Sequence, residues 1–381
     1  MTELAQPGIH PAHAPHRDPL GWLYLLALIG GAGVALLRYG ALMDGYDTAI
    51  LLLQVPVLAA IGRHWAAFRP YLTAVATLSI ASIGLYGGDL ARAEQTFALK
   101  YLISSQTAIM WMSALYLIAT GAYWLGLLTR SAFADRTGGA LLWSGTAMGT
   151  TGLLVRWFES YLMGPRIGHI PISNLYEVMV LFCLITALLY LYYEHRYATR
   201  KMGAFVSLII SAAVAFLLWY AFTRGAAEIQ PLIPALQSYW MKVHVPTNFI
   251  GYGAFSLAAM VGVGQLLVER GVLASRLPDP RVLEDVMYRA IAIGFAFFTI
   301  ATILGALWAA EAWGTYWQWD PKETWALIVW LNYAAWLHMR LTKGLRGTML
   351  AWWAVIGLLV TTFAFIGVNM FLTGLHSYGS I

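Results

Sequence analysis

Residues 312–325 read AWGTYWQWDPKETW, the most chemically loaded stretch of the chain. Trp313, Tyr316, Trp317 and Trp319 crowd together there, followed at once by Asp320, Pro321, Lys322 and Glu323. Core aromatics are dispersed through a structure, and the aromatic belts of membrane proteins are spread around the bundle. A tight cluster fits neither pattern. With local helical geometry, positions 313, 316, 317 and 320 share one face at i, i+3, i+4, i+7 spacing. Such a face is a flat apolar shelf, a surface on which a planar macrocycle can stack. The end of the stretch also has a plain structural reading. Asp320 matches a helix N-cap, Pro321 the first helical position and Glu323 the third residue after the cap.

A planar macrocycle with a metal at its centre needs axial donors, and for haem these are most often histidines. His244, in YWMKVHVPTNF, stands just before an apolar run, and His376, in GVNMFLTGLHSYG, just after the last one. The two flank the tryptophan-rich stretch in sequence. His338, in WLNYAAWLHMRLTKG, falls within the apolar run that follows the stretch, where an ionisable group is a functional candidate by default. A snorkelling or hydrogen-bonded histidine is its bland alternative. His169, in RIGHIPISNLYE, reads as a loop-structural residue, His10, His13, His16 and His64 as solvated or metal-scavenging ones, and His195 as a solvated one.

The elements that must position these residues are membrane helices. Hydrophobic residues make up 60% of the 381 and charged ones 11%, where a soluble domain carries about a quarter charged. Apolar runs at 20–37, 48–62, 70–87, 106–129, 138–157, 175–193, 203–222, 248–268, 287–308, 323–340 and 348–372 predict eleven spans. Backbone groups in hydrocarbon must be satisfied within each span, so the fold class is an all-α helical bundle. No cleavable signal peptide is apparent in the polar, Pro- and His-rich MTELAQPGIHPAHAPHRDP. With the N-terminus inside, fifteen of the 23 Lys and Arg lie in inward segments and eight in outward ones, as the positive-inside rule requires. The net charge of +5 thus marks topology and gives no reason to invoke nucleic acid.

This direction places residues 309–322, His244 and His376 on the outward side. The outward segments 158–174, 223–247 and 309–322 and the C-terminal tail are then expected to converge on one face. Residues 1–105 form an N-terminal accessory region of about three spans, and 106–381 a core of about eight. The single cysteine, Cys183, lies within a span and reads as a small buried hydrophobe. A lone cysteine cannot run dithiol exchange, and without Cys-x-x-Cys-His the chain is not itself a c-type cytochrome.

WGTYWQWDPKETWALIVW resembles the tryptophan-rich WWD signature of haem-handling membrane proteins, which include the CcsA/ResC (often CcsB) proteins of system II, CcmC and CcmF. PISNLYEVMVLF and GVNMFLTGLHSYG resemble segments of the CcsA/ResC branch, and the resemblance covers roughly 106–381. It implies cytochrome c maturation: haem transport across the membrane, presentation on the outward loop, and thioether attachment to the CxxCH of apocytochrome c. That is a cytochrome c haem lyase activity, exerted together with a separate ResB-type partner and fed by a thiol-reducing system. By the same resemblance His244 and His376 are axial ligands of a non-covalent haem b, and His338 belongs to a membrane haem site. Trp313, Gly314, Tyr316, Trp317, Trp319 and Asp320 carry the shelf, with Trp317, Trp319 and Asp320 joining the two outward histidines in presenting haem for attachment.

Haem propionates call for outward cations, of which Arg156 is the first choice, with Arg166, Arg224 and Lys242 behind it. The location implied is a bacterial cytoplasmic membrane or a thylakoid-type one. A haem exporter or chaperone without ligase activity would use the same shelf. A b-type electron-transfer protein would instead set its histidines on facing helices at membrane depth, and a proton-coupled transporter leaves the tryptophan loop unexplained.

Overall fold

The computed structural model describes residues 18–374 of the chain. Among them there are helices and turns and no strand, so the all-α membrane bundle is the observed class. His10, His13, His16 and His376 lie outside the described residues.

The chain divides into two compact units, Met1–Leu72 and Thr73–Ile381. In the first unit, α1 (Pro19–Tyr39) and α2 (Gly45–His64) form a hairpin. Asp18 caps α1 and also pairs with Arg69 at 2.6 Å, while Tyr24 donates to the Leu58 carbonyl at 3.0 Å. Almost none of the apolar surface of these two helices is buried within the protein. The boundary falls inside α3 (Phe68–Tyr86).

In the second unit, α4 (Arg92–Gln95) and a π-helical turn at Leu99–Ile103 lead into α5 (Ser105–Thr129) and α6 (Ala132–Met163). One face of α6 is glycine. A Cβ at Gly138, Gly145, Gly149 or Gly152 would collide with Tyr123, Tyr116, Met112 or Ile109 of α5. In lipid no hydrophobic force draws helices together, and small residues that permit close van der Waals packing take over that role. Next come α7 (Leu175–Arg196), α8 (Gly203–Arg224), α9 (Trp240–Glu269) and α10 (Pro280–Trp313). The register of α9 on α10 is set the same way, Gly251 against Phe298 and Gly294 against Phe255. The chain ends with α11 (Pro321–Thr342), α12 (Thr348–Thr362), a π-helical segment Phe363–Gly367 and α13 (Val368–Phe371).

Each of the eleven predicted spans coincides with a helix. Among the described residues nine helices are both long and apolar enough to cross a membrane, and α6 and α11 are long enough but less apolar. The reason is their content: glycine and buried charge in α6, and Lys322, Glu323, Asn332, His338 and Arg340 in α11. The chain is a multi-pass helical membrane protein.

Candidate functional site

The tryptophan-rich stretch is not one continuous helix, since residues 314–320 form a loop between two helices, which corrects the expectation of a helical shelf. Trp313 is the last residue of α10, and Gly314 closes that helix with φ 80°, its N–H donating to the Ala310 carbonyl at 3.0 Å. A left-handed φ costs glycine nothing, so the helix stops here. The next helix starts as its sequence dictates. Asp320 caps α11 in a capping box with Glu323, whose Oε2 accepts from the backbone N–H groups of Gln318 at 2.7 Å and Asp320 at 3.2 Å. Between these two ends the loop folds so that Trp313, Tyr316 and Trp317 still line one cavity. Asp320 is buried in its capping role instead of facing the shelf. Trp319 takes φ 60°, an uncommon conformation for a bulky residue, and is 68% exposed with its ring edge-on to Trp317.

The cavity, about 230 Å3, lies where residues of the predicted outward segments meet: Ile172 and Ser173, Leu236 to Val245, and Trp308 to Lys322. Phe365 and Asn369 of the last helical stretch complete it. Its walls are aromatic, with Phe249, Tyr252, Phe298 and Phe365 in mutual ring contact at centroid distances of 5.1–5.6 Å. Flat apolar walls with a few placed polar groups are the usual form of a small-molecule site.

His244 is the fifth residue of α9 and lines this cavity. Its Nδ1 lies 2.9 Å from the Ala301 carbonyl of α10. A carbonyl can only accept, so Nδ1 carries the proton, and in the neutral ring Nε2 keeps its lone pair. Trp308 packs edge-on against the imidazole at 5.6 Å, and Gly305 makes room for it, since a Cβ there would lie 2.9 Å from Cε1. Orientation of a ligating histidine through its other nitrogen is how metal sites fix tautomer and aim.

Beneath the cavity runs a chain of polar contacts. His169 Nδ1 donates to the Ile167 carbonyl at 2.6 Å, and its Nε2 lies 3.0 Å from Ser173 Oγ. Ser173 Oγ donates to Glu177 at 2.8 Å, and Glu177 pairs with Arg156 at 2.7 Å. Arg156 also donates to the Ala227 carbonyl at 2.8 Å. The guanidinium is buried, answered by Glu177, and absent from the cavity lining. It joins α6 to α7 and to the 223–247 segment, while Ser173 and Asn174 reach the cavity edge. Arg166 and Arg224 are exposed and Lys242 is half-buried, and none lines the cavity. His338 lies on an exposed face of α11, away from the cavity, with Thr342 Oγ1 3.4 Å from its Nδ1. His64 and His195 are exposed, and Cys183 is fully buried.

A family model described as "Cytochrome C assembly protein" matches residues 172–376, more than half of the 381 and a span that contains every residue lining the cavity. The chain belongs to the cytochrome c assembly protein family. Among relatives, the "Cytochrome c biogenesis protein CcsA" of Parasynechococcus marenigrum is 36% identical over 258 residues, covering 60% of this chain and 82% of its own length. Those of Chlamydomonas reinhardtii and Chlorella vulgaris are 39% and 32% identical, covering 60% and 74% of this chain and 64% and 96% of their own. A solved structure named "Cytochrome c Heme Lyase CcmF" superposes with TM-score 0.52 at 19% identity, over 70% of this chain and 49% of that one. This chain therefore spans about half of that lyase, and the likeness concerns the fold.

Sequence reasoning about this cytochrome c assembly protein missed the cavity's Asn248, Tyr252, Gly305, Lys322, Phe365 and Asn369. Lys322 sits in the quoted motif itself, where the sequence reading counts it only among the outward cations. Gly305 carries no mark in sequence, because its meaning comes from the histidine packed against it.

Proposed function

We propose that the chain holds haem b in the aromatic cavity and presents it for covalent attachment to the Cys-x-x-Cys-His segment of an apocytochrome c, beside a separate ResB-type partner. The observation that carries this reading is His244: its imidazole, with Nδ1 held by the Ala301 carbonyl, shares one cavity with Trp313, Tyr316 and Trp317. That donor set fits haem. Nε2 is the ring nitrogen that would take an axial position, and the aromatic walls match a flat macrocycle. Among the described residues no three His, Cys, Asp or Glu side chains gather as a metal cage, so the porphyrin would supply the other iron ligands. His376 is the proposed second axial donor, and Trp319 and Asp320 complete the loop around the ligand.

His338 is the proposed donor of a membrane haem site on the outward path. Its exposed place on α11 leaves room for a second donor from the partner.

In the attachment step each substrate thiol adds across one vinyl group of haem. A sulfur–carbon bond forms, the S–H bond breaks, and the hydrogen goes to the neighbouring vinyl carbon. No electrons are lost or gained and nothing leaves, so the substrate cysteines must arrive reduced, which is the work of a thiol-reducing system. The chain contributes position: a ligand held in one orientation turns a bimolecular encounter into an effectively unimolecular step. Tyr316 and Trp319, both mostly exposed, border the side from which a peptide would approach.

The test is haem content and absorbance of the purified protein with His244→Ala beside wild type. Loss or displacement of the haem spectrum, partly restored by added imidazole, is expected, together with a fall in covalent cytochrome yield. An unchanged spectrum would put the ligand elsewhere.

A further inference from the structure

Lys322 is the one lysine or arginine that lines the aromatic cavity among the described residues. It occupies the second position of α11, and its Nζ donates to the carbonyls of Ala364 at 3.3 Å and Phe365 at 3.0 Å. Both carbonyls belong to the π-helical segment Phe363–Gly367, a kind of irregularity found disproportionately at functional sites. No carboxylate lies within ion-pair distance of the ammonium among the described residues. The two acids beside it in sequence are committed to the backbone: Asp320 accepts from the N–H of Lys322, and Glu323 from those of Gln318 and Asp320.

Carbonyl oxygens solvate an ammonium without cancelling its charge. Satisfying the π-helical carbonyls does not require a charge either. Asn369 Nδ2 already donates to the Phe365 carbonyl at 3.0 Å, and a neutral amide could serve at Ala364 as well. What a cation adds in an apolar cavity is attraction for an anion, strengthened by the low dielectric around it. An ammonium has three donors, and the two carbonyls occupy two of them.

We propose that Lys322 anchors a carboxylate at the edge of a flat, apolar ligand and thereby fixes how that ligand lies relative to His244. The inference rests on the haem reading above, and under it the carboxylate is one of the two propionates. Arg156, bound to Glu177, is then a scaffold residue, and the ligand's negative edge is turned toward α11 and the π-helical segment. The vinyl edge of the macrocycle lies away from the propionates, so pinning one edge leaves the other for the incoming peptide.

The rival role for Lys322 is a staple between α11 and the π-helical segment with no ligand contact. Ferric haem and haem dimethyl ester, whose propionates are capped and uncharged, separate the two. Each is titrated by absorbance into the full-length protein in detergent, using wild type, Lys322→Gln, Lys322→Arg and His244→Ala. Lys322→Gln should bind haem about tenfold or more weakly than wild type, as expected for loss of a charge-assisted hydrogen bond. Dimethyl ester should bind wild type and Lys322→Gln equally, and Lys322→Arg should stay near wild type for both. Equal weakening of the two ligands in Lys322→Gln would make Lys322 a staple only, and undiminished haem binding would remove it from the site. Wild-type binding that does not depend on His244 would overturn the haem reading itself, and this inference with it.

Discussion

At the scale of the residue, His244 shows how little sequence is needed to aim a ring. One carbonyl holds Nδ1, one glycine leaves room for Cε1, and one indole packs edge-on. The glycine is the sharpest test of this arrangement. A Cβ at Gly305 would stand 2.9 Å from Cε1 and 3.3 Å from Nδ1 of His244, closer than packed atoms allow. Gly305→Ala should therefore swing the imidazole off Ala301 and reproduce much of the haem defect of His244→Ala. Overpacking of this kind costs about 1–3 kcal/mol, so the variant should fold with a modestly lowered melting temperature. A wild-type haem spectrum in Gly305→Ala would mean that the ring has another way to point. Arg156 and Lys322 make the complementary lesson in charge. The arginine chosen in sequence to meet a propionate is paired and buried, and a lysine given no role there lines the cavity.

At the scale of the element, the parts written locally were legible. Long apolar runs located the spans, and Asp320, Pro321 and Glu323 announced the start of α11 as a capping box. Helical spacing misled where it was extended across a boundary. Positions 313, 316 and 317 do converge, but through a loop that Gly314 opens with a left-handed turn, and a face defined by i, i+3, i+4 does not exist there. The cavity itself was out of reach. Gly305 and His244 come from different helices, and their meeting depends on the register of α9 against α10, which Gly251 and Gly294 set by close approach to Phe298 and Phe255. Ser173 reaches the rim through the His169 and Glu177 contacts, which are equally invisible along one strand of sequence. His376 was singled out by its sequence context, and it lies outside the described residues.

At the scale of the whole molecule, the distribution of Lys and Arg sets the expected direction, with the tryptophan loop outward. Thr315 is exposed in that loop, and the only native cysteine, Cys183, is fully buried, so background labelling should be low. Thr315→Cys in intact cells should react with a membrane-impermeant maleimide without permeabilisation. Labelling that appears only after the membrane is opened would reverse the topology and remove the outward delivery of haem.

The modest apolarity of α6 and α11 also bears on how the protein is made. A helix carrying several charges near its middle or ends partitions poorly from the translocon, at a cost of about 2.5–3.5 kcal/mol for each centrally placed charge. During synthesis α6 can enter beside α5, already made and shaped to receive its glycine face. The helix α11 has polar contacts on both sides. With α10, Trp330 Nε1 donates to Thr299 Oγ1 at 2.9 Å and Arg340 lies 3.5 Å from Glu284. With α12, Trp353 Nε1 donates to Asn332 at 3.1 Å and Trp336 Nε1 donates to the Leu350 carbonyl at 3.0 Å. The α10 partners are translated before it and the α12 partners after it. Residues 321–342 should therefore dock first on α10 and settle fully only when 348–371 emerge, so that the wall carrying Lys322, Phe365 and Asn369 is completed last. A chain truncated after residue 345, with a glycosylation acceptor as reporter, should leave α11 only partly inserted, and restoring the final helix should complete its insertion. Full insertion of α11 in the truncated chain would show that it needs no escort.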